Sequence, residues 1–182
     1  MKTLSLLLVT LAMFYLPRSA YTQDSKSDAM QKCPMHKDHG ADSSHHTIVE
    51  KNGTQAMGFS QTSTTHHFRL FPDGGAIEVT TNQPNDGTAM LAIRTHLSQI
   101  ASMFGNGDFS TPMFVHDSIP PGVTTMKALR TNIHYRYEET ANGGRVLILS
   151  SDPAALGAIH DFLRFQISEH RTGDTPEVTN TQ

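Results

Sequence analysis

Cysteine is almost missing from this chain: Cys33 is the only one in 182 residues. A lone thiol excludes an intramolecular disulfide framework, so the fold has to rest on its apolar core. Charge is sparse as well, at 17% of residues and a net −3 with neutral histidines, which argues against nucleic acid or an acidic membrane surface as a partner. Long apolar runs are confined to the stretch from Leu4 to Leu16, which falls short of the ~20 residues a membrane-spanning helix needs. Catalytic signatures are missing too. There is no Gly-x-Ser-x-Gly elbow, no phosphate-cradling glycine loop, no dinucleotide fingerprint and no His-Glu-x-x-His.

What is present begins with an export signal. Met1-Lys2 supplies a positive start, the apolar run follows, and Pro17 with Ser19-Ala20 supplies a helix break and small residues for cleavage. Residues 1–22 are therefore predicted to be a signal peptide. The mature protein is expected to be periplasmic or extracellular, with no membrane attachment, since Ala29-Met30-Gln31-Lys32 before Cys33 is not a lipidation box. Histidine and methionine are abundant, at 11 and 9. Neutral imidazole and thioether are donors for soft and borderline metals, copper first and zinc second.

The polar stretch 23–62 lacks apolar periodicity and is predicted to be a disordered, His-rich arm, and 175–182 a frayed tail. Between them, 63–174 shows an internal repeat. One copy reads His67-Phe68-Arg69-Leu70-Phe71, a turn at Asp73-Gly74-Gly75, a return strand Ala76–Thr80, and a helix through Ile93, Leu97, Ile100 and Phe104. The other reads His134-Tyr135-Arg136-Tyr137, a turn at Asn142-Gly143-Gly144, a return strand Arg145–Leu149, and a helix through Leu156, Ile159, Leu163 and Ile167. Alternation marks half-buried strands, and the glycine pairs suit tight hairpins. Asp86 and Asp152 are predicted N-caps, with Pro153 at the first helical position. A short helix over Val123–Arg130 is expected to bridge the copies. The expected fold class is α+β: duplicated ββα units forming a four-stranded antiparallel sheet with helices on one face.

Three groups of residues invite metal chemistry. Cys33-Pro34-Met35-His36-Lys37-Asp38-His39, followed by His45-His46, gathers a thiolate, a thioether and imidazoles that can wrap one soft ion. Cys33-Pro34-Met35-His36 resembles the short heavy-metal-binding segment of bacterial copper-transporting ATPases and related efflux proteins, with Lys37 where that segment usually has proline. The second group lies on the first strand, where His66 and His67 point to opposite faces. His66 is expected to face the helices. His67 and Arg69 are expected on the open face with His134 and Arg136, a set that suits a metal or a small anion. The third, looser set is His96, Met103, Met113, His116, Met126, His160 and His170, which reads as packed side chains rather than ligands.

Met57–Phe59, Thr64–Phe68, and Leu163–Ile167 with His170–Asp174 also resemble a group of small exported bacterial proteins, over most of 63–174. Some of that group carry an aspartate carbamoyltransferase label. This chain is too short for that enzyme's two α/β domains and lacks its Ser-Thr-Arg-Thr phosphate-binding segment, so the resemblance implies export but no reaction.

The function expected from the sequence is that of an exported metal-binding protein for sequestration, delivery or tolerance. Its expected ligands are Cys33, Met35, His36, His39, His45 and His46 on the arm, and His66, His67 and His134 on the domain. One alternative is a binding module that uses the open sheet face for homodimerisation or a small anionic ligand. Another is a metal-dependent enzyme, which needs ligands converging around an open position.

Overall fold

A computed structural model describes residues 39–180. Helix α1 (His39–Met57) leads into hairpin β1 (Thr64–Phe71) and β2 (Gly74–Thr81), then α2 (Gly87–Gly105). Two short helices, α3 (Ser110–His116) and α4 (Val123–Ala128), precede the second hairpin, β3 (His134–Thr140) and β4 (Gly143–Leu149), and the chain closes with α5 (Pro153–His170). The strands form one antiparallel sheet in the order β1-β2-β4-β3, as the α+β reading with duplicated ββα units expects.

The copies join through their second strands. Gly75 faces Ile148 and Val79 faces Gly144, a reciprocal exchange that places a local two-fold axis between β2 and β4. Each helix then covers mainly the other copy's hairpin: α2 lies over β3 and β4, and α5 over β1 and β2. Both helices start as predicted. Asp86 accepts a hydrogen bond from Ala89 N–H, and Asp152 accepts from Ala154 and Ala155 N–H with Pro153 beside it. Ile93, Leu97, Ile100 and Phe104 form the buried face of α2, whereas on α5 Ala155, Ala158 and Phe162 join Ile159, Leu163 and Ile167, and Leu156 stays outside the core.

Of the two glycine pairs only Gly74, at φ +152°, has the positive φ expected of them. The hairpins turn at Pro72-Asp73 and Ala141-Asn142, while the glycines already sit in the strands. A Cβ on Gly75 would collide with the Leu163 side chain of α5 and the Arg69 carbonyl, and one on Gly144 would press on Leu97 of α2 and Tyr137. These glycines let a helix leucine approach the sheet, a packing requirement rather than a turn requirement.

Two further expectations differ from the structure. Residues 39–57, assigned to the arm, form α1, which is held by buried Val49 and by packing on α3 and α5, with Asn52 Nδ2 donating to the Phe114 carbonyl at 3.0 Å. The tail also docks: Val178 bridges Leu70 in parallel, Thr179 N–H donates to the Leu70 carbonyl at 2.9 Å, and Arg164 Nε donates to the Pro176 carbonyl at 3.0 Å. Edge strand β1 has unpaired backbone groups, and the tail satisfies some of them. No helix among the described residues is long and apolar enough to cross a membrane.

Candidate functional site

Strand alternation turns His66 inward beside Phe68 and Leu70, toward the helices. There it meets imidazoles from three other elements. His66 of β1, His96 of α2, His116 of α3 and His170 of α5 line one cavity of about 70 Å³, with Gly53 and Met57 of α1 on its outer side. The remaining wall is largely apolar, with Phe68, Val79, Leu97, Ile100 and Phe162. The space is several times the ~10–15 Å³ that one water requires. Ring centroids lie 6.1 Å apart for His66 and His170 and 5.1 Å for His116 and His170, and Phe59 stacks near-parallel to His66 at 6.2 Å and meets His96 at a right angle at 5.8 Å.

Burial holds these rings neutral. Desolvation, with like-charge repulsion from His96 and His67, lowers His66 to a pKa of about 4. Desolvation alone takes His96 to about 4. Desolvation, helped by His116, His66 and His46, takes His170 to about 3. His116, buried on α3, is lowered by burial against the opposing pull of Gln166 and Glu169. At neutral pH each ring thus keeps a lone pair on one nitrogen, which is the form of histidine that ligates metals. His116 Nε2–H donates to Gln166 Oε1 at 3.1 Å, which leaves Nδ1 as an acceptor, and neither that atom nor His66 Nε2 has a hydrogen-bond partner among the described residues. Buried polar atoms without partners are rare in native proteins and call for an explanation.

The predicted ligands are not gathered in one place. Cys33, Met35 and His36, like the signal segment, lie outside the described residues. His39 opens α1. His45, two helical turns further on, donates to Glu169 Oε2 at 2.6 Å, and His46 lies 3.3 Å from Glu50. His67 does face away from the helices, but its Nδ1–H donates to Asp174 Oδ1 at 2.8 Å. Burial pushes the Asp174 carboxyl up. Hydrogen bonds from Phe68 N–H, Thr172 and His67 outweigh it and hold the carboxyl below the usual range.

His67 and His134 are not brought together. The strand order puts them on opposite edges of the sheet, β1 and β3, and the pairing makes Thr65, not His67 as expected, the equivalent of His134. Three strand spacings separate those edges, roughly 14 Å. The register adds a further offset, because His67 lies in the row of Glu78, Arg145 and Glu138, and His134 in the row of Leu149, Gly74 and Phe71. On the same face Arg69 pairs with Glu78 at 3.9 Å, and Arg136 and Arg145 share Glu138 at 2.9 and 2.7 Å. Each guanidinium there already has a carboxylate.

Among the described residues no group of three or more His, Cys, Asp or Glu is arranged to hold an ion. Convergence of the pocket imidazoles on one ion thus requires their rings to turn within the cavity. Comparison with protein-family models, curated proteins and solved structures finds no match to this chain.

His96, His116 and His170 read as packing side chains in the sequence, and they are packed, but around a cavity. A sequence signal did exist. Thr64–Phe68 and His170–Asp174, each with histidine beside other polar residues, are neighbours in the fold: His66 stacks toward His170, and His67 and Phe68 N–H both bond to Asp174.

Proposed function

We propose that this is an exported copper-binding protein, with zinc as the second candidate, and that the domain's own site is the histidine-lined pocket rather than the opposite sheet face. One observation carries the reading: four imidazoles held neutral converge on an apolar cavity, and two of their nitrogens lack a partner. Monovalent copper suits such a cavity. It has a single charge to desolvate, accepts two or three imidazoles, and takes thioether, which Met57 offers from α1. His66, His116 and His170 are the assigned ligands. Cys33, Met35 and His36 remain a separate binding segment in this reading, upstream in the chain.

The test is competition for Cu(I) against a coloured chelator, with the mature chain and full-length variants. His66→Ala and His170→Ala should each weaken binding by on the order of 100-fold, at or beyond the loss an outer-shell partner causes. Replacing Cys33, Met35 and His36 together should remove one equivalent and leave the other. If the histidine variants bind as the parent does, the pocket is not the site.

The apolar wall favours a second reading, a small and mostly apolar ligand hydrogen-bonded by His66 Nε2 and the Gln166 amide, whose Nε2 also lacks a partner. Thermal stabilisation by small aromatic or aliphatic alcohols, retained in excess chelator, would favour it over copper.

A further inference from the structure

The two edges of the sheet are finished differently. On β1, Phe68 N–H donates to Asp174 Oδ2 at 2.9 Å, and the Leu70 carbonyl accepts from Thr179 N–H, also at 2.9 Å. The strand pairings make Tyr137 and Glu139 of β3 the equivalents of Phe68 and Leu70. Their outward backbone groups, and those of Tyr135, are reached by no tail segment or side chain among the described residues. A bare edge of this kind is a template for another strand. Three hydroxyls of the same strand, on Tyr135, Tyr137 and Thr140, are also buried without a hydrogen-bond partner.

We propose that β3 is an interaction edge whose partner is β3 of a second copy, paired antiparallel about a two-fold axis at Tyr137. Charge decides this register. Outward groups recur at every second residue, so two β3 strands pair only in registers centred on a residue. Centring on Arg136 opposes two guanidiniums, and centring on Glu138 opposes two carboxylates. Centring on Tyr137 opposes Arg136 to Glu138 of the second copy, at both ends of an isologous contact. Arg136 lies 2.9 Å from Glu138 of its own strand, and its side chain is 61% exposed, so a second carboxylate has room to approach. The same register sets Glu139 of the second copy opposite Tyr135, and His134 opposite Thr140, which brings polar side chains to two of the orphan hydroxyls. Arg94 of α2 reaches over β3 to the Thr140 carbonyl and to Glu139, and Leu91 beside it on the helix surface is 68% exposed, an apolar side chain left at the seam. His66 and its pocket lie toward the far edge, on β1, so the pairing leaves both pockets free.

The experiment is sedimentation of the full mature chain over a concentration series, with chelator and reductant present so that neither metal nor Cys33 joins copies. The parent should form a reversible dimer. Arg136→Glu and Glu138→Arg should each weaken it about ten-fold, because either change opposes like charges at both ends of the contact. Mixed in equal amounts, the two variants should associate as the parent does, since each supplies the charge the other lacks. Hydrogen exchange gives a reading that needs no substitution: the amides of Tyr135, Tyr137 and Glu139 should gain protection as concentration rises. The inference is overturned if the parent sediments as a monomer throughout the series. It is also overturned if a dimer forms with those amides unprotected, or if both variants dimerise as the parent does, either of which moves the contact to another surface.

Discussion

The duplication makes two ends of the helix-covered face equivalent, and they hold different chemistry. Leu97 of α2 and Leu163 of α5 rest on the equivalent glycines Gly144 and Gly75. Seven positions on from each lies Phe104 in one copy and His170 in the other (97 + 7 and 163 + 7). Phe104 meets Tyr135 at 5.9 Å, and His170 meets His66, the equivalent of Tyr135, at 6.1 Å. Around Phe104 the end is filled by Phe109 and Phe162. Around His170 stand His66 and His116, and Gln166 takes the place that Ile100 holds in the other copy. One end shows what this fold needs for packing, an aromatic cluster. The other departs from it by burying imidazoles at an energetic cost, and departures of that kind tend to mark functional sites.

The largest expected effect is acid sensitivity confined to the histidine end. For His66, His96 and His170 the folded pKa lies well below the ordinary value, at about 4, 4 and 3. Above pH 6.5 folded and unfolded rings are both neutral and nothing is lost. As pH falls from about 6.5 toward 4, the unfolded chain takes up protons the folded one refuses, so stability falls by on the order of 2 kcal/mol per ring, allowing for their partial exposure. Urea unfolding of the metal-free protein across that range should show the decline, and His66→Ile with His170→Phe should flatten it. A slope unchanged in the double variant would break the comparison.

Next in size is the reverse exchange. Phe104→His puts a polar ring among Phe109, Phe162 and Tyr135. It should cost about 3 kcal/mol at neutral pH. If instead it costs nothing, the aromatic end tolerates histidine and the contrast between the ends loses its meaning.

The glycines sharpen the same comparison. A Cβ at Gly75 meets backbone as well as Leu163, whereas at Gly144 the contacts are looser. Gly75→Ala should therefore lower stability by about 2 kcal/mol and Gly144→Ala by half of that or less, read as shifts in urea midpoint. The smallest expected effect is a gain. Replacing His170 with Phe alone, as in the other copy, should stabilise the metal-free protein by about 1 kcal/mol, because it removes a buried polar ring.

Much of the framework was legible in the chain. Asp86, Asp152 and Pro153 announce where α2 and α5 begin, and the alternation in β1 already separates His66 from His67. Helix α1 was not legible, because few of its residues are apolar and its place is set by contacts with α3 and α5. Nor was α3, whose Pro112 reads as a breaker although it lies in the helix's first turn, where proline is tolerated.

The sequence by itself determined the strands, helices α2 and α5, the duplication and the opposite faces of His66 and His67, because these follow from local spacing and caps. Tertiary structure alone decided which histidines meet. The two-fold axis between β2 and β4 sends His67 and His134 to opposite edges, while the crossing of α5 over β1 brings His170 to His66, a hundred residues earlier in the chain. Periodicity assigns a side chain to a face. Which other side chain occupies the same space depends on how the layers are stacked, and no local pattern encodes that.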